Sequence, residues 1–299
     1  MTDALRYTPY ASALKPFAIG LSAIDPADWI EPDDDLAAYL DEKDRLLAER
    51  RDEVFQEDGA SRAAQAECLA LLTGHLLARH GDRWRQTEGG VSVAGRDVPF
   101  HSDEALLVTA GRLVQDDLAI LEKRNGAWTL TAGFVAFPSA WSLREKAGLP
   151  MEGVHAHVPD YAGGTRNAMM LSRIFDNLQP DLPAMRLNWS IYPSGDLFWP
   201  PEKGARAERN TFTPAINFIR VERQTLRRLP ETGAIVFTIR IYNDPISRLK
   251  TDPALAALAS ALADKLGDFT PEQLAYKGMV ARRDAIIRYL RDETPNDRS

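Results

Sequence analysis

Two histidines, two positions apart, are the clearest candidates for chemistry in this sequence. His155 and His157 lie in VHAHVPDY, and Asp160 and Tyr161 follow them. On an extended backbone the two imidazoles point to the same face, because side chains alternate along a strand. Histidine is a common ligand for iron in proteins. The spacing predicts a metal or haem site, but two polar residues in a loop would give the same pattern.

The other three histidines limit the kind of metal site. His75, His80 and His101 all lie upstream of the pair. A three-histidine site would have to recruit one of them, whereas a site of two histidines and a carboxylate needs only the pair. Haem ligation needs a single histidine. His75 and His80 fall in the last turns of a predicted helix, where cations interact favourably with the helix dipole.

A second candidate group lies on a predicted strand, in NFIRVERQTLRRLP. Arg220, Glu222 and Gln224 share one face of this strand, and Val221 and Arg223 share the other. Charged groups within a sheet need partners. They could bind a charged ligand, or they could pair with one another on a solvated face. The final RRLP is expected to leave the sheet as a surface turn.

A third candidate is RLNWSIY, which we expect to begin a hairpin over residues 185–201. Arg186 and Asn188 lie on one face, and Trp189 lies behind them. A guanidinium there could anchor an anion, whereas the tryptophan is expected to belong to the core.

Charge and cysteine content exclude several functional classes. The chain has 299 residues and a formal net charge of −7, so no basic face is available for nucleic acid. Its only cysteine, Cys68, excludes an internal disulfide, a cysteine-ligated iron–sulfur cluster and a Cys₄ zinc site. Apolar runs fall far short of the roughly 20 residues that span a bilayer. With no signal-peptide pattern at the start, we expect a cytoplasmic protein without membrane contact.

The elements that must position these residues predict an α+β fold. The first 30 residues are expected to form an extended wrap ending at Trp29, and helices follow over residues 33–55 and 61–81. Asn125-Gly126 predicts a hairpin, residues 165–178 a helix, residues 233–246 a strand, and the chain after Pro253 more helices. We therefore expect a single domain, 1–299, with a central antiparallel sheet flanked by helical extensions at about 30–82 and 252–295.

Three long stretches, read in order, carry a family resemblance: FPSAWSLREKAGLPMEGVHAHVP (137–159), RLNWSIY (186–192) and RVERQTLRRLPETGAIVFTIRIY (220–242). They are similar to the haem-dependent oxidative N-demethylase alpha-subunit-like family. Its pattern contains Ser-x-Trp, Ile-His-x-Pro-Val-Pro, Arg-x-Asn-Trp and Arg-x-Glu-Arg-Gln-Thr-Leu-x-x-Leu-Pro. The resemblance spans roughly residues 15 to 290.

The resemblance implies a PAS-like antiparallel sheet that holds haem b. It also implies oxidative removal of a methyl group from a small secondary amine such as dimethylamine, with consumption of O₂ and release of formaldehyde. Electrons would come from NADPH through partner reductase subunits that carry FMN and an iron–sulfur cluster. This chain has one cysteine and no nucleotide-binding motif, so the relay would have to lie on those partners.

The resemblance also implies roles for single residues. The family histidine falls on His155, the expected axial ligand of the haem iron. His157 replaces a proline of the family pattern, and it could compete as ligand or donate a hydrogen bond nearby. Haem propionates favour arginine partners. The residues expected to contact the cofactor are the matched residues Arg186, Asn188, Arg220 and Arg223.

A protonated amine in an apolar pocket needs a carboxylate or an aromatic face. Glu222 is the first candidate for this acceptor and for the base that removes the amine proton, with Asp160 and Tyr161 behind it. Two other functions stay open: a haem-binding PAS-like sensor without catalysis, and a non-haem iron oxygenase built on His155 and His157.

Overall fold

A large antiparallel sheet forms the centre of the structure, a computed structural model that describes residues 5–203 and 212–293. Its strands, with those of a smaller sheet, are β1 (Ser22–Ala23), β2 (Phe55–Glu57), β3 (Trp84–Gln86), β4 (Gly90–Val93), β5 (Arg96–Pro99), β6 (Asp117–Arg124), β7 (Ala127–Phe134), β8 (Ala184–Tyr192), β9 (Phe218–Arg228) and β10 (Ile235–Pro245). The large sheet has the order β1-β8-β9-β10-β6-β7-β2, and β3-β4-β5 form the small one.

Helices precede the sheet, interrupt it and follow it. They are α1 (Leu36–Val54), α2 (Arg62–Arg79), α3 (Leu106–Gly111), α4 (Leu143–Lys146), α5 (Met151–Val154), α6 (Arg166–Asn177), α7 (Arg248–Thr251), α8 (Ala256–Gly267), α9 (Pro271–Tyr276) and α10 (Arg283–Leu290). The predicted α+β class with an antiparallel sheet is confirmed. The end of the predicted extension at 252–295 lies outside the described residues. No helix in the described ranges is long and apolar enough to cross a bilayer.

One face of the large sheet packs against helices, and the other face lines a cavity. Leu118 and Ile120 of β6 belong to the core beneath α1, α2 and α3. Ala119 and Leu121, which alternate with them, line a cavity on the opposite face. The strand pattern thus separates a packed side from a hollow side.

The turn chemistry was predicted correctly at one hairpin and wrongly at another. Asn125 and Gly126 both have positive φ, 50° and 84°, and join β6 to β7, as a two-residue turn of this type requires. The hairpin predicted over residues 185–201 is wrong. β8 ends at Tyr192, and its neighbours in the sheet are β1 and β9. β9 begins only at Phe218, so a long connection, not a tight turn, joins the two strands.

The end of β9 also differs from the prediction. Arg227 and Arg228 do not leave the sheet as a turn, because they pair with Val236 and Ile235 of β10. The pairing continues to the last residue of β9. The strand is therefore 11 residues long, long enough to carry both polar candidates and the apolar wall of the cavity.

Candidate functional site

A cavity of about 830 Å³ lies against one face of the large sheet. Strands β6 to β10 form one wall. The other side is formed by α5 with the loop that follows it, by the turn after α9, and by residues 12–21, which we call the N-terminal strap. Strands β6, β7 and β10 and the end of β9 contribute apolar side chains to this wall: Ala119, Leu121, Leu130, Leu226, Phe237 and Ile239. The site therefore offers a hydrophobic floor with polar groups at its edges.

His155 lines this cavity from the end of α5. Its Nδ1 lies 3.0 Å from the carbonyl oxygen of Met151. A carbonyl only accepts hydrogen bonds, so Nδ1 is the protonated nitrogen of the neutral ring and Nε2 keeps its lone pair. Burial lowers the pKa of His155 to about 4, which Lys146 and Arg186 reinforce and Met151 opposes. The imidazole is thus neutral at neutral pH, the form that binds a metal.

The extended backbone predicted for the histidine pair is wrong. Met151–Val154 is a short helix begun after Pro150, and His155 caps it with φ −98° and ψ 8°. Turns follow, so the strand geometry that would place both imidazoles on one face is absent here. His157 is exposed, although it touches the cavity edge.

Asp160 and Tyr161 separate at this point. Asp160 is exposed at φ 67° and does not line the cavity. Tyr161 is buried, and its hydroxyl donates to the carbonyl of Phe17 in the strap at 3.0 Å. Its ring lies 5.9 Å from the ring of His155. Tyr161 therefore ties the strap to the histidine.

Arg186 and Arg220 both line the cavity, but their donors are used differently. The guanidinium of Arg186 donates once, over 3.4 Å, to the carbonyl of Ala18. Its Nε is buried and has no partner among the described residues. An anion in the cavity could satisfy that donor.

Arg220, by contrast, is only 2% exposed, and its guanidinium donates mainly to backbone carbonyls. Its guanidinium donates to Ser139 Oγ at 2.9 Å and to the carbonyls of Phe137, Leu197 and Asp196 at 2.8, 3.0 and 3.1 Å. These bonds hold two loops against β9. Burial lowers the pKa of Arg220, and the carbonyl oxygens stabilise its charge.

Arg223 lies on the other face of β9. It is 1% exposed and donates to the carbonyls of Trp29, at 3.0 Å, and Asp28, while its Nε lies 3.4 Å from the carboxylate of Glu31. It does not line the cavity. Alternation along the strand separates it from its neighbour Glu222, as the sequence predicted, and the role expected for it at the cofactor has no support in this arrangement.

Glu222 is the buried carboxylate of the cavity. Its Oε2 accepts from Asn188 Nδ2 at 3.1 Å and from Gln224 Nε2 at 2.6 Å. Lys277 Nζ donates to Asn188 Oδ1 at 3.1 Å. These four residues form a connected polar group, the Glu222 cluster, beside the apolar wall of the cavity.

Sequence reasoning missed Lys277 and the strap. A lysine directly after a helix resembles the usual cation near a helix C-terminus, and only the docking of α9 against β8 turns it inward. The strap was predicted as an extended wrap, but nothing in its composition showed which surface it covers. Burial lowers the pKa of Lys277 to about 8, with a contribution from Arg186 and opposition from Glu222.

The upstream histidines do not reach the site. His75 and His80 lie 5.8 Å apart, ring to ring, and pack with Trp29 and Trp84 in the region of α2. Within residues 5–203 and 212–293, no three His, Cys, Asp or Glu side chains are grouped to hold a metal ion. The arrangement does not support the non-haem iron alternative, which needs a third protein ligand beside His155 and His157.

Comparison with known proteins agrees with the resemblance seen in the motifs. A family model described as "Haem-dependent oxidative N-demethylase, alpha subunit-like" matches residues 20–287. The match includes the histidine loop, all strands of the cavity wall and the turn that carries Lys277. The chain therefore belongs to the haem-dependent oxidative N-demethylase alpha-subunit-like family.

Proposed function

We propose that this chain is the haem b-binding subunit of an oxygenase that removes a methyl group from a small secondary amine of the dimethylamine type. The observation that carries the proposal is His155, a neutral imidazole whose Nδ1–H is held by a backbone carbonyl at the edge of an apolar cavity. That hydrogen bond is the usual orienting contact of a metal-binding histidine. The family supports an oxidative demethylation.

The residues present fit a haem. The hydrophobic wall would hold its apolar ring, and His155 Nε2 would be the protein ligand for its iron. A propionate would satisfy the buried Nε of Arg186, since charge-assisted hydrogen bonds to arginine are strong. Arg220 would instead support the wall through its carbonyl contacts.

The strand order is a second support, and it bears on the PAS-like fold. Numbered from 1 to 5 along the chain, β6 to β10 lie in the sheet order 2-1-5-4-3, which is the order of a PAS sheet. α4, α5 and α6 lie between the second and third of these strands. We include a PAS-like cofactor-binding sheet in the proposal.

When bound, haem would supply the activation of O₂ for oxidation of the carbon next to the amine nitrogen. The overall change consumes the amine, O₂ and two reducing equivalents with two protons, and it yields the demethylated amine, formaldehyde and water. Electrons from NADPH would arrive through partner subunits with FMN and an iron–sulfur cluster, because this chain has one cysteine.

Glu222 is the proposed acceptor for the amine. Both amides of its cluster donate to Oε2, and no hydrogen bond among the described residues ends at Oε1. An ammonium N–H would donate to Oε1, and the same carboxylate could then take the proton. Asp160 is exposed and outside the cavity, and Tyr161 is engaged by the strap, so neither is needed for this step.

The test of haem binding compares two neighbouring variants. Wild type supplied with haemin should show an intense Soret band, His157→Ala should keep it, and His155→Ala should lose it or shift it strongly. An unchanged spectrum in His155→Ala, or no band in wild type, would remove the basis of the proposal. Formaldehyde release in the presence of a reductant and dimethylamine separates an enzyme from a sensor.

The test of the amine site is Glu222→Gln. This change keeps the size of the side chain and removes its charge. We expect the amine-dependent change in the haem spectrum to need at least ten times more dimethylamine, since a charge-assisted bond contributes about 1.5–3 kcal/mol. Equal affinity and turnover in the variant would show that Glu222 is not the acceptor.

A further inference from the structure

Lys277 is a half-buried cation that lines the same cavity, and the proposed reaction does not use it. Its Nζ donates to Asn188 Oδ1 at 3.1 Å and to the carbonyl of Trp189 at 2.5 Å. It lies 5.2 Å from the centre of the Phe17 ring. The ammonium is thus fixed at the junction of α9, β8 and the strap.

Lys277 reaches Glu222 through one intermediate. An ammonium only donates, so the oxygen of the Asn188 amide faces Lys277 and its nitrogen faces Glu222. The lysine and the carboxylate form no direct ion pair within 4.0 Å in the described structure. The gap between the two charges is spanned by a neutral amide, and the cluster carries one positive and one negative charge.

An arriving ammonium changes this balance. With Lys277 protonated, a cationic amine at Glu222 would place two positive charges against one buried carboxylate. Like charges at short range are costly in a poorly solvated cavity. The cost disappears if one cation leaves.

We infer that the protonated amine binds at Glu222 in exchange for the proton of Lys277, which makes this lysine a specificity-determining residue for cationic substrates. One proton leaves Nζ and passes to solvent, and the bound amine keeps its own proton until the carboxylate takes it. The neutral Nζ still has two N–H groups, so its contacts with Asn188 and Trp189 persist. The inference rests on the proposed function.

The charges around Lys277 are consistent with such an exchange near neutral pH. Glu222 faces it from β9 and Arg186 from β8, Tyr276 precedes it on α9, and the strap contributes the uncharged ring of Phe17. Burial lowers the pKa of Lys277 to about 8, Arg186 lowers it further and Glu222 raises it. Dialkylamines, like lysine in water, stay protonated to about pH 10. Affinity should therefore rise with pH until Lys277 is neutral.

Calorimetry counts the protons directly. Haem-loaded protein is titrated with dimethylammonium chloride at pH 7 in two buffers that differ in ionisation enthalpy, and the difference in heat gives the protons released per amine. We expect nearly one proton from wild type. Lys277→Met, with no titrating group, and Lys277→Arg, which stays charged, should release none. Between pH 6.5 and 8.5, affinity should rise roughly 25-fold in wild type and stay flat in both variants.

The controls separate failure of this inference from failure of the proposed function. The Soret band of each variant shows that the haem site is intact. If Lys277→Met releases as many protons as wild type, the proton comes from the amine and the inference is wrong, although the proposed function stands. If wild type binds neither haem nor amine, the proposed function itself fails.

Discussion

Arg186 and Arg220 show how two arginines in one cavity can have different roles. Arg186 has a buried Nε without a partner in the described structure. The guanidinium of Arg220 donates hydrogen bonds to Ser139 and to backbone carbonyls. A side chain with an unsatisfied buried donor is available to a ligand, whereas one with all donors satisfied belongs to the framework.

The two arginines should therefore respond oppositely to replacement by glutamine. Arg186→Gln should weaken haem binding about tenfold or more and leave the free energy of unfolding of the haem-free protein nearly unchanged. Arg220→Gln should lower that free energy by about 2–5 kcal/mol, because several buried carbonyls lose their donor. Urea unfolding and haemin titration measure both quantities. Equal loss of stability in the two variants would contradict the assignment.

Much of the site could be predicted at the residue scale. Alternation along β9 placed Glu222 and Gln224 on one face and Arg223 on the other, and the structure agrees. The position of Lys277 could not be predicted, because its partners Asn188 and Trp189 lie far away in the chain. A pattern of periodicity carries no information about which distant surface a helix end will face.

At the scale of elements, residue types predicted the local structure correctly only where the backbone conformation depends on those residues and not on distant contacts. Asn125-Gly126 specifies its turn by conformational preference. The histidine loop looked extended, but α5 forms before it and turns follow. The end of β9 was predicted as a surface turn, yet pairing with β10 holds it in the sheet.

Helix α1, which packs against the other face of the sheet, carries a buried lysine. Position 43 lies between Leu40 and Leu47 on one face of this helix, because residues three and four apart are neighbours on a helix surface. Lys43 is in fact fully buried, and its ammonium donates to the carbonyls of Gly111 and Val114 at 3.1 and 3.0 Å. These carbonyls, which lie far from α1 in the chain, explain how a lysine can occupy the apolar face of the helix.

The N-terminal strap connects the element scale to the cavity. Its carbonyls accept from Tyr161 and Arg186 at Phe17 and Ala18, and from Lys265 at Leu14. Phe17 has φ 61°, a conformation that costs a non-glycine residue energy. The strap is therefore held in place by side chains of the site that it covers, and a ligand of Arg186 would compete with one of those bonds.

At the scale of the whole molecule, the sheet separates two functions. The cavity lies on one face, and the core that contains α1 and α2 lies on the other. Cys68 of α2, the only cysteine of the chain, is fully buried in that core, and burial raises the pKa of its thiol to about 12. A thiol reagent can reach Cys68 only when the structure opens.

Cys68 can therefore test whether the chain is one cooperative domain. If labelling requires global unfolding, haem must slow it, because a ligand that binds only the folded state stabilises by RT ln(1 + [L]/Kd). At 100 times Kd, labelling in the regime where opening is fast should slow about 100-fold, equivalent to about 2.7 kcal/mol. His155→Ala should show no such protection. Labelling of wild type at the same rate with and without haem would instead show that α2 opens on its own, separately from the cavity.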